Sequence, residues 1–175
     1  EIGAGCGALT RFLGEACDSV LALEGTISRA KICKSRCRDL ANVEVVCERF
    51  DDLVTDHKFD VVTLIGVLEY ASMFVDSATP HIDMLRRALS HLKPDGLLII
   101  AIENKIGLKY LAGAAEDHVS IPMFGVENRY VETGPATFGF KELRGLIEKC
   151  GEYEADFFGA FPDYKFPSCL ISEKG

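Results

Sequence analysis

A glycine-rich segment with a carboxylate in front of it opens the chain and carries its clearest chemical signal. Glu1 precedes Gly3, Gly5 and Gly7, and a run with helical spacing follows from Thr10. Glycine lets a backbone turn sharply and lets a ligand lie directly against it, because no Cβ is in the way. Such turns between a strand and a helix bind nucleotide-like cofactors in open α/β sheets. The acid in front of the turn favours a ligand that is partly cationic.

The glycines leave two classes of cofactor open. The spacing Gly3-x-Gly5-x-x-Ala8 also satisfies the dinucleotide fingerprint, and Glu24 lies near the distance expected for an acid that binds ribose hydroxyls. A carboxylate has two acceptor oxygens, so Glu24 could accept both hydroxyls; the alternative is a solvated acid at the end of a strand. The segment alone therefore does not separate a nicotinamide cofactor from S-adenosylmethionine.

The elements that must position these residues alternate between strand and helix. Their apolar spacing predicts strands at 19–24, 43–47, 59–65, 97–102, 153–160 and 168–173, and helices at 10–16, 26–40, 83–92 and 140–150. A turn is predicted at 93–96. The near-continuous apolar runs predict strands buried on both faces, and hence a mostly parallel sheet with helices on each side.

Several features, taken in order along the chain, resemble the class I S-adenosylmethionine-dependent methyltransferases. They are Glu1 with the three glycines, Glu24, the run 59–70 and the run 92–100. Leu92-Lys-Pro-Asp-Gly96, ahead of that family's fifth strand, is more distinctive than the glycines. The resemblance extends to about Ile102, and the closing strands fit the family's final hairpin. It implies a Rossmann-like α/β domain with three α/β/α layers and a seven-stranded, mostly parallel sheet whose last strand is antiparallel.

The resemblance also implies the cofactor, S-adenosylmethionine, and the residues that bind it. Glu1 would balance its ammonium group, Glu24 would hold its ribose, and Asp51, or the backbone N–H of Phe50, would contact its adenine. For Asp51 the alternative is an acid on a surface turn. The implied cofactor-binding residues are, in full, Glu1, Gly3, Gly5, Gly7, Glu24, Phe50, Asp51, Ile65 and Gly66.

The implied reaction is methyl transfer to a small hydroxylated acceptor. The sulfonium is already activated, so holding the acceptor in line with the methyl group supplies most of the rate. A base helps if the acceptor is a hydroxyl, and His118 beside Asp117 is the predicted base, with Glu103 as a further candidate. The alternative for His118 is a surface histidine with an acidic neighbour.

Residues 104–136 interrupt the alternation of strands and helices and are rich in glycine and aromatic residues. We expect a partly helical insertion that forms part of the acceptor site. Segments 102–118, 124–127 and 161–167 resemble methyltransferase domains found with glycosyltransferases in bacterial surface-polysaccharide gene products. This second resemblance implies a sugar or sugar-nucleotide acceptor and a covalently linked glycosyltransferase domain, and it fits our expectation that residues before Glu1 are missing.

Composition narrows the possible partners. A net charge of -8 argues against binding to nucleic acid and fits a small-molecule enzyme of the cytoplasm. No apolar run approaches the ~18 residues that would span a bilayer. We expect no metal site, because the seven cysteines form no CxxC pair and no histidine has zinc-finger spacing. Two alternatives to the enzyme stay open: a fragment of an NAD(P)-dependent oxidoreductase, and a non-catalytic methyltransferase-like binding module.

Overall fold

The computed structural model describes residues 1–174, which divide into two compact units. Unit 1 comprises Glu1–Val67 and Ala88–Ile100, and unit 2 comprises Leu68–Arg87 and the described residues from Ala101 onward. The predicted glycine turn lies in unit 1, whereas His118, Asp117 and Glu103 lie in unit 2.

Unit 1 is built on parallel strand pairing. Strand β1 (Val20–Leu23) pairs in parallel with β2 (Val43–Val46), so that Leu23 lies opposite Val46. Ile2 makes parallel bridges to Leu23 and to Leu64 of β3 (Phe59–Ile65), and β3 is a neighbour of β4 (Leu92–Ala101). The order across the unit is therefore β2, β1, Ile2, β3, β4.

Two helices of unit 1 pack close to the glycine turn. Helix α1 (Ala8–Ala16) starts directly after Gly7, and α2 (Ile27–Arg36) follows β1. Cys33 of α2 forms a buried cluster with Ala4 and Ala22, and its thiol lies 3.5 Å from the hydroxyl of Thr10, which is fully buried in α1. Small buried side chains of α1 and α2 thus pack close to the glycine turn.

Unit 2 is mostly short elements joined by turns. A 3-10 turn (Leu68–Tyr70) leads into α3 (Ala71–Phe74), and α4 (Pro80–Ser90) follows, with its last residues in unit 1. The remaining elements are α5 (Leu108–Leu111), α6 (Phe140–Glu148) and an antiparallel hairpin of β5 (Phe158–Phe161) and β6 (Cys169–Ser172). Leu68, Leu85 and Tyr110 are among its buried side chains.

The predicted order of strands and helices is confirmed, but their bounds differ: α1, α4 and β4 are longer than predicted, and most of the other predicted elements are shorter. Helix 26–40 ends at Arg36, for example. Residues 1–174 form six strands, so a seven-stranded sheet is not confirmed. The turn predicted at 93–96 is wrong, because these residues belong to β4; Asp95, with φ 64°, has a turn-like backbone inside the strand. No helix within residues 1–174 is long and apolar enough to cross a membrane.

Burial on both faces, expected for strands 59–65 and 97–102, is found only in part of β3. Val62, Thr63 and Leu64 are all buried, whereas Val61 is 44% exposed, and in β4 Leu97 is 57% and Ile99 41% exposed. Successive side chains of a strand point to opposite faces, so a strand covered on one side shows this alternation. An apolar run alone does not reveal that only one face is covered.

Candidate functional site

The parallel register of unit 1 brings four chain segments to one edge of its strands. Ile2 lies beside both Leu23 and Leu64, and Leu23 lies beside Val46. Strands that run in parallel end at the same edge. The residues that follow these strands therefore gather at their carboxyl ends, where open α/β sheets bind ligands. They are the glycine turn after Ile2, Glu24, Ile65 with Gly66, and the turn at 47–52.

The three glycines of the turn have different surroundings. A Cβ on Gly3 would collide with the side chain of Val67, and one on Gly7 would lie 2.8 Å from the sulfur and 2.9 Å from the Cα of Cys33. Gly5, with φ 56°, has open space instead: among residues 1–174 nothing would lie within 4 Å of its added Cβ. Close packing thus accounts for Gly3 and Gly7, while Gly5 leaves room for a ligand.

Glu24 ties the turn to the start of α2. Its side chain is buried, one oxygen accepts the backbone N–H of Gly5 at 2.8 Å, and the other accepts the N–H of Thr26 at 2.8 Å. The exposed Arg29 guanidinium lies 3.0 Å from that second oxygen. A carboxylate has roughly four lone-pair positions, so the oxygen bound to Gly5 can accept a further hydrogen bond. Glu24 is not the solvated acid of the alternative hypothesis.

The other predicted cofactor residues lie around the same edge. Glu1 accepts a hydrogen bond from Thr10, and burial raises the pKa of its carboxyl. Phe50 and Asp51 lie in the turn after β2, where the Phe50 ring is 6.0 Å from the ring of His91. Ile65 ends β3, and Gly66 has a φ of 65°. All nine predicted residues therefore belong to unit 1.

Unit 2 buries a group of ionisable side chains. Glu69, Glu103 and Glu116 are 2%, 4% and 2% exposed, and the His118 side chain is 6% exposed. One ligand atom each of Glu69, Glu103 and His118 lies within 4.8 Å of the other two. We call these three residues the Glu–Glu–His cluster. Buried charges cost free energy unless they are paired, so this cluster requires a physical explanation.

His118 is held by Glu116 rather than by its sequence neighbour Asp117. Its Nδ1 lies 2.8 Å from Glu116 Oε1, and its Nε2 lies 3.7 Å from Glu69 Oε1. The Glu69 and Glu116 carboxylates raise the pKa of His118 to about 9, against the opposing effect of burial. Nδ1 therefore donates its hydrogen to the Glu116 carboxylate, and Nε2 faces Glu69.

Asp117 and Glu103 have cationic partners of their own. Asp117 accepts a hydrogen bond from Tyr110, and its carboxylate lies 2.9 Å from the ammonium of Lys109. Burial acts to raise the pKa of Asp117, but these two partners bring it below its usual range. Glu103 accepts a hydrogen bond from Lys165 through Oε1. The structure thus brings Glu103 and His118 together and turns Asp117 toward another pair.

A family comparison identifies the part of the chain that contains the glycine turn. A family model described as a methyltransferase domain matches residues 1–98, more than half of the 175 residues. The chain belongs to the methyltransferase-domain family. This confirms the resemblance to class I methyltransferases at the level of the family. The match ends inside β4, so Glu103, Asp117 and His118 lie outside the matched residues.

Solved structures support a Rossmann-like fold for this methyltransferase-domain protein. The N-methyltransferase NodS from Bradyrhizobium japonicum WM9, in complex with S-adenosyl-l-homocysteine, is 17% identical with a TM-score of 0.53, over 59% of this chain and 51% of that chain. A S-adenosylmethionine-dependent methyltransferase from Clostridium acetobutylicum is 18% identical with a TM-score of 0.53, over 67% and 49%. A DhpI-SAM-HEP complex is 18% identical with a TM-score of 0.63, over 91% and 71%.

These likenesses show the fold and leave the acceptor open. The chain spans about half the length of the first two structures. The comparison with curated proteins gives no match.

Sequence analysis of this methyltransferase-domain protein missed Glu69, which belongs to the buried group, and Lys165, whose half-exposed side chain pairs with Glu103. Glu69 follows β3 within the Gly-Val-Leu-Glu-Tyr segment, and Lys165 comes from the segment before β6. Glu69 had a signal in the sequence, since it is an acid inside an otherwise apolar run. Lys165 had none, because its partner Glu103 is 62 residues away.

Proposed function

We propose that this protein transfers a methyl group from S-adenosylmethionine to a hydroxyl of a small acceptor. The supporting observation is Gly5, which has a positive φ and open space at the carboxyl edge of parallel strands. A ligand can approach the backbone there more closely than any side chain would permit. The family match supports the cofactor class over a nicotinamide.

In this proposal each residue around the turn has a task. The methionyl part of the cofactor lies over Gly5, with Glu1 near its ammonium group. Glu24 accepts a ribose hydroxyl through the oxygen that already accepts the Gly5 N–H, and a second hydroxyl can replace Arg29 on the other oxygen. Phe50 and Asp51 contact the adenine, and Ile65 and Gly66 lie near the methyl group. Gly3 and Gly7 act by shaping the turn.

The acceptor is proposed to be a sugar or sugar nucleotide, bound in part by residues 104–136. Binding energy that holds its oxygen in line with the sulfonium methyl supplies most of the rate. Glu103, His118 and Asp117 are the proposed catalytic residues. Glu103 and His118 belong to one buried group of ionisable side chains, which supports assigning them a shared role near the acceptor hydroxyl.

Further parts of the proposal concern the whole protein. We propose a seven-stranded sheet in three layers with an antiparallel last strand, and a strand at the position of Ile2, which already bridges β1 and β3. The second resemblance predicts a linked glycosyltransferase domain and a role in polysaccharide biosynthesis. Composition predicts a cytoplasmic location.

Calorimetry in EDTA tests the cofactor directly. We expect S-adenosylhomocysteine to bind the folded chain with one site, and NADH not to bind. The E24A variant should lose the heat of binding, whereas E44A, an exposed acid on β2, should retain it. A folded sample that gives no heat with S-adenosylhomocysteine, or that binds NADH instead, would contradict the proposal. Cofactor binding without methyl transfer to any sugar nucleotide would favour the non-catalytic module.

A further inference from the structure

We infer that the Glu–Glu–His cluster of unit 2 binds a divalent metal ion through the carboxylates of Glu69 and Glu103 and the imidazole of His118. The three donor atoms lie within 4.8 Å of one another. Two ligand atoms bonded to the same ion at the usual 2.0–2.2 Å are at most about 4.4 Å apart, so a small adjustment lets all three reach one ion.

The first independent support is a pair of unsatisfied oxygens. Oε2 of Glu69 and Oε2 of Glu103 are both buried, and neither has a hydrogen-bond partner within residues 1–174. Oε1 of Glu69 lies 3.7 Å from His118 Nε2, which is longer than a hydrogen bond. A buried carboxylate without hydrogen bonds is costly, and a cation between the two glutamates would remove that cost.

The second support is the setting of His118. A histidine that binds a metal through one ring nitrogen almost always donates the N–H of the other to a carboxylate or carbonyl. His118 has this arrangement: Nδ1 lies 2.8 Å from Glu116 Oε1, and Nε2 faces Glu69. Glu116 is itself fixed, because its Oε2 accepts the backbone N–H groups of His118 and Val119 at 2.7 and 2.8 Å.

Glu103 is oriented in a similar way. Lys165 donates to its Oε1, so Oε2 is the oxygen left for an ion. The charges agree with this arrangement: Glu69, Glu103 and Glu116 bring three carboxylates together, and Lys165 is the one lysine or arginine paired with them within residues 1–174. A divalent ion that takes the place of any proton on His118 Nε2 would offset the remaining negative charge.

The donor set narrows the choice of ion. Two carboxylate oxygens and one imidazole nitrogen suit a first-row divalent ion such as Mn²⁺, and they suit Ca²⁺ less well, because Ca²⁺ prefers six to eight oxygen ligands. Three protein ligands leave coordination positions open for water or a hydroxyl oxygen. Any role of the ion in turnover rests on the proposed methyl transfer, whereas its binding does not.

Mn²⁺ is therefore the probe. The chain is treated with EDTA, desalted and titrated with MnCl₂, while electron paramagnetic resonance follows the six-line signal of free Mn²⁺, which bound Mn²⁺ loses. We expect saturation at one Mn²⁺ per chain.

Three variants test the ligands. The E69Q variant removes the charge of a ligand without breaking a hydrogen bond of that carboxylate, and it should bind Mn²⁺ at least tenfold more weakly. E116Q, which disturbs the partner of His118, should weaken binding by roughly 10- to 100-fold. E127Q, at an exposed acid paired with Arg129, is the control and should bind like the unmodified chain.

A measurement on the unmodified chain does not depend on how the variants fold. Pulsed paramagnetic resonance of bound Mn²⁺ should show coupling to one imidazole nitrogen. Absence of saturable Mn²⁺ binding, equal affinity in E69Q, or bound Mn²⁺ without nitrogen coupling would each overturn the site. Calorimetry with S-adenosylhomocysteine in EDTA tests the proposed function separately, so failure of one proposal is distinguishable from failure of the other.

Discussion

Replacement of Gly5 by alanine should separate cofactor binding from folding. The backbone of Gly5 has a φ of 56°, which side-chain-bearing residues rarely adopt, but its Cβ would project into open space. The cost to folding is therefore conformational and not steric. Adopting this left-handed conformation costs an L-residue about 1–2 kcal/mol, and we expect the free energy of unfolding to fall by that amount.

The cost to binding has a different origin. If the cofactor lies against the Gly5 backbone, the added methyl group occupies space that the ligand needs. Forcing an extra carbon into a packed contact costs about 1–3 kcal/mol. That range corresponds to a cofactor affinity weaker by roughly 5- to 150-fold.

Gly113 provides a matched control. It also has a positive φ, 94°, and no atom of residues 1–174 would lie within 4 Å of its Cβ, but it belongs to unit 2. Urea unfolding should give similar losses for G5A and G113A, while calorimetry with S-adenosylhomocysteine should show weaker binding for G5A alone. If G5A binds as tightly as the unmodified chain, the cofactor does not lie over Gly5 and the proposed site is wrong.

Three further predictions use the same two assays. G7A should lower the free energy of unfolding by more than G5A does, because its Cβ would lie 2.9 Å from the Cα of Cys33 in addition to the cost of its φ of 79°; equal losses would contradict this. E24Q should lose about 2 kcal/mol of stability and bind S-adenosylhomocysteine more weakly, since a buried charge-assisted hydrogen bond to the Gly5 N–H is replaced by a neutral one; unchanged affinity would count against the ribose role. E142Q should lose about 1 kcal/mol at neutral pH, because Glu142 accepts the Gly139 N–H at the start of α6 at 2.7 Å. Burial acts to raise the pKa of Glu142, but Lys105 and that N–H bring the pKa below its usual value. The contribution of Glu142 to the free energy of unfolding is therefore fully present above the pKa of the unfolded chain, and it is lost as the pH falls through the pKa of the folded chain. The difference from the unmodified chain should therefore shrink on acidification below about pH 4.5, and a difference that stays constant with pH would contradict this.

The glycine turn shows how far a motif can be interpreted from sequence. The spacing of Gly3, Gly5 and Gly7 predicted a ligand-binding turn, and the structure provides the strand edge that such a turn needs. The separate tasks of the three glycines were not predictable. They depend on Val67, which lies two residues after β3, and on Cys33 of α2, and no local pattern in the sequence predicts those contacts.

The pairing of His118 shows the limit in another way. Adjacency in the sequence favoured Asp117 as its partner, but the turn at 116–119 directs the Asp117 carboxylate to Tyr110 and Lys109. Glu116 takes its place, two residues away. Side chains of neighbouring residues in a turn point in different directions, so proximity along the chain is a poor guide to hydrogen bonding there.

The sequence by itself determined the order of strands and helices and the family, and it predicted the edge at which a cofactor would bind. These features depend on local periodicity and on residues that lie close together along the chain. Only the tertiary structure decided that Glu69, Glu103 and His118 form one buried group, and that Lys165 reaches Glu103 from 62 residues away. The expectation of no metal site used spacing along the chain, whereas the proposed metal site rests on distances in space, and the two await the same test.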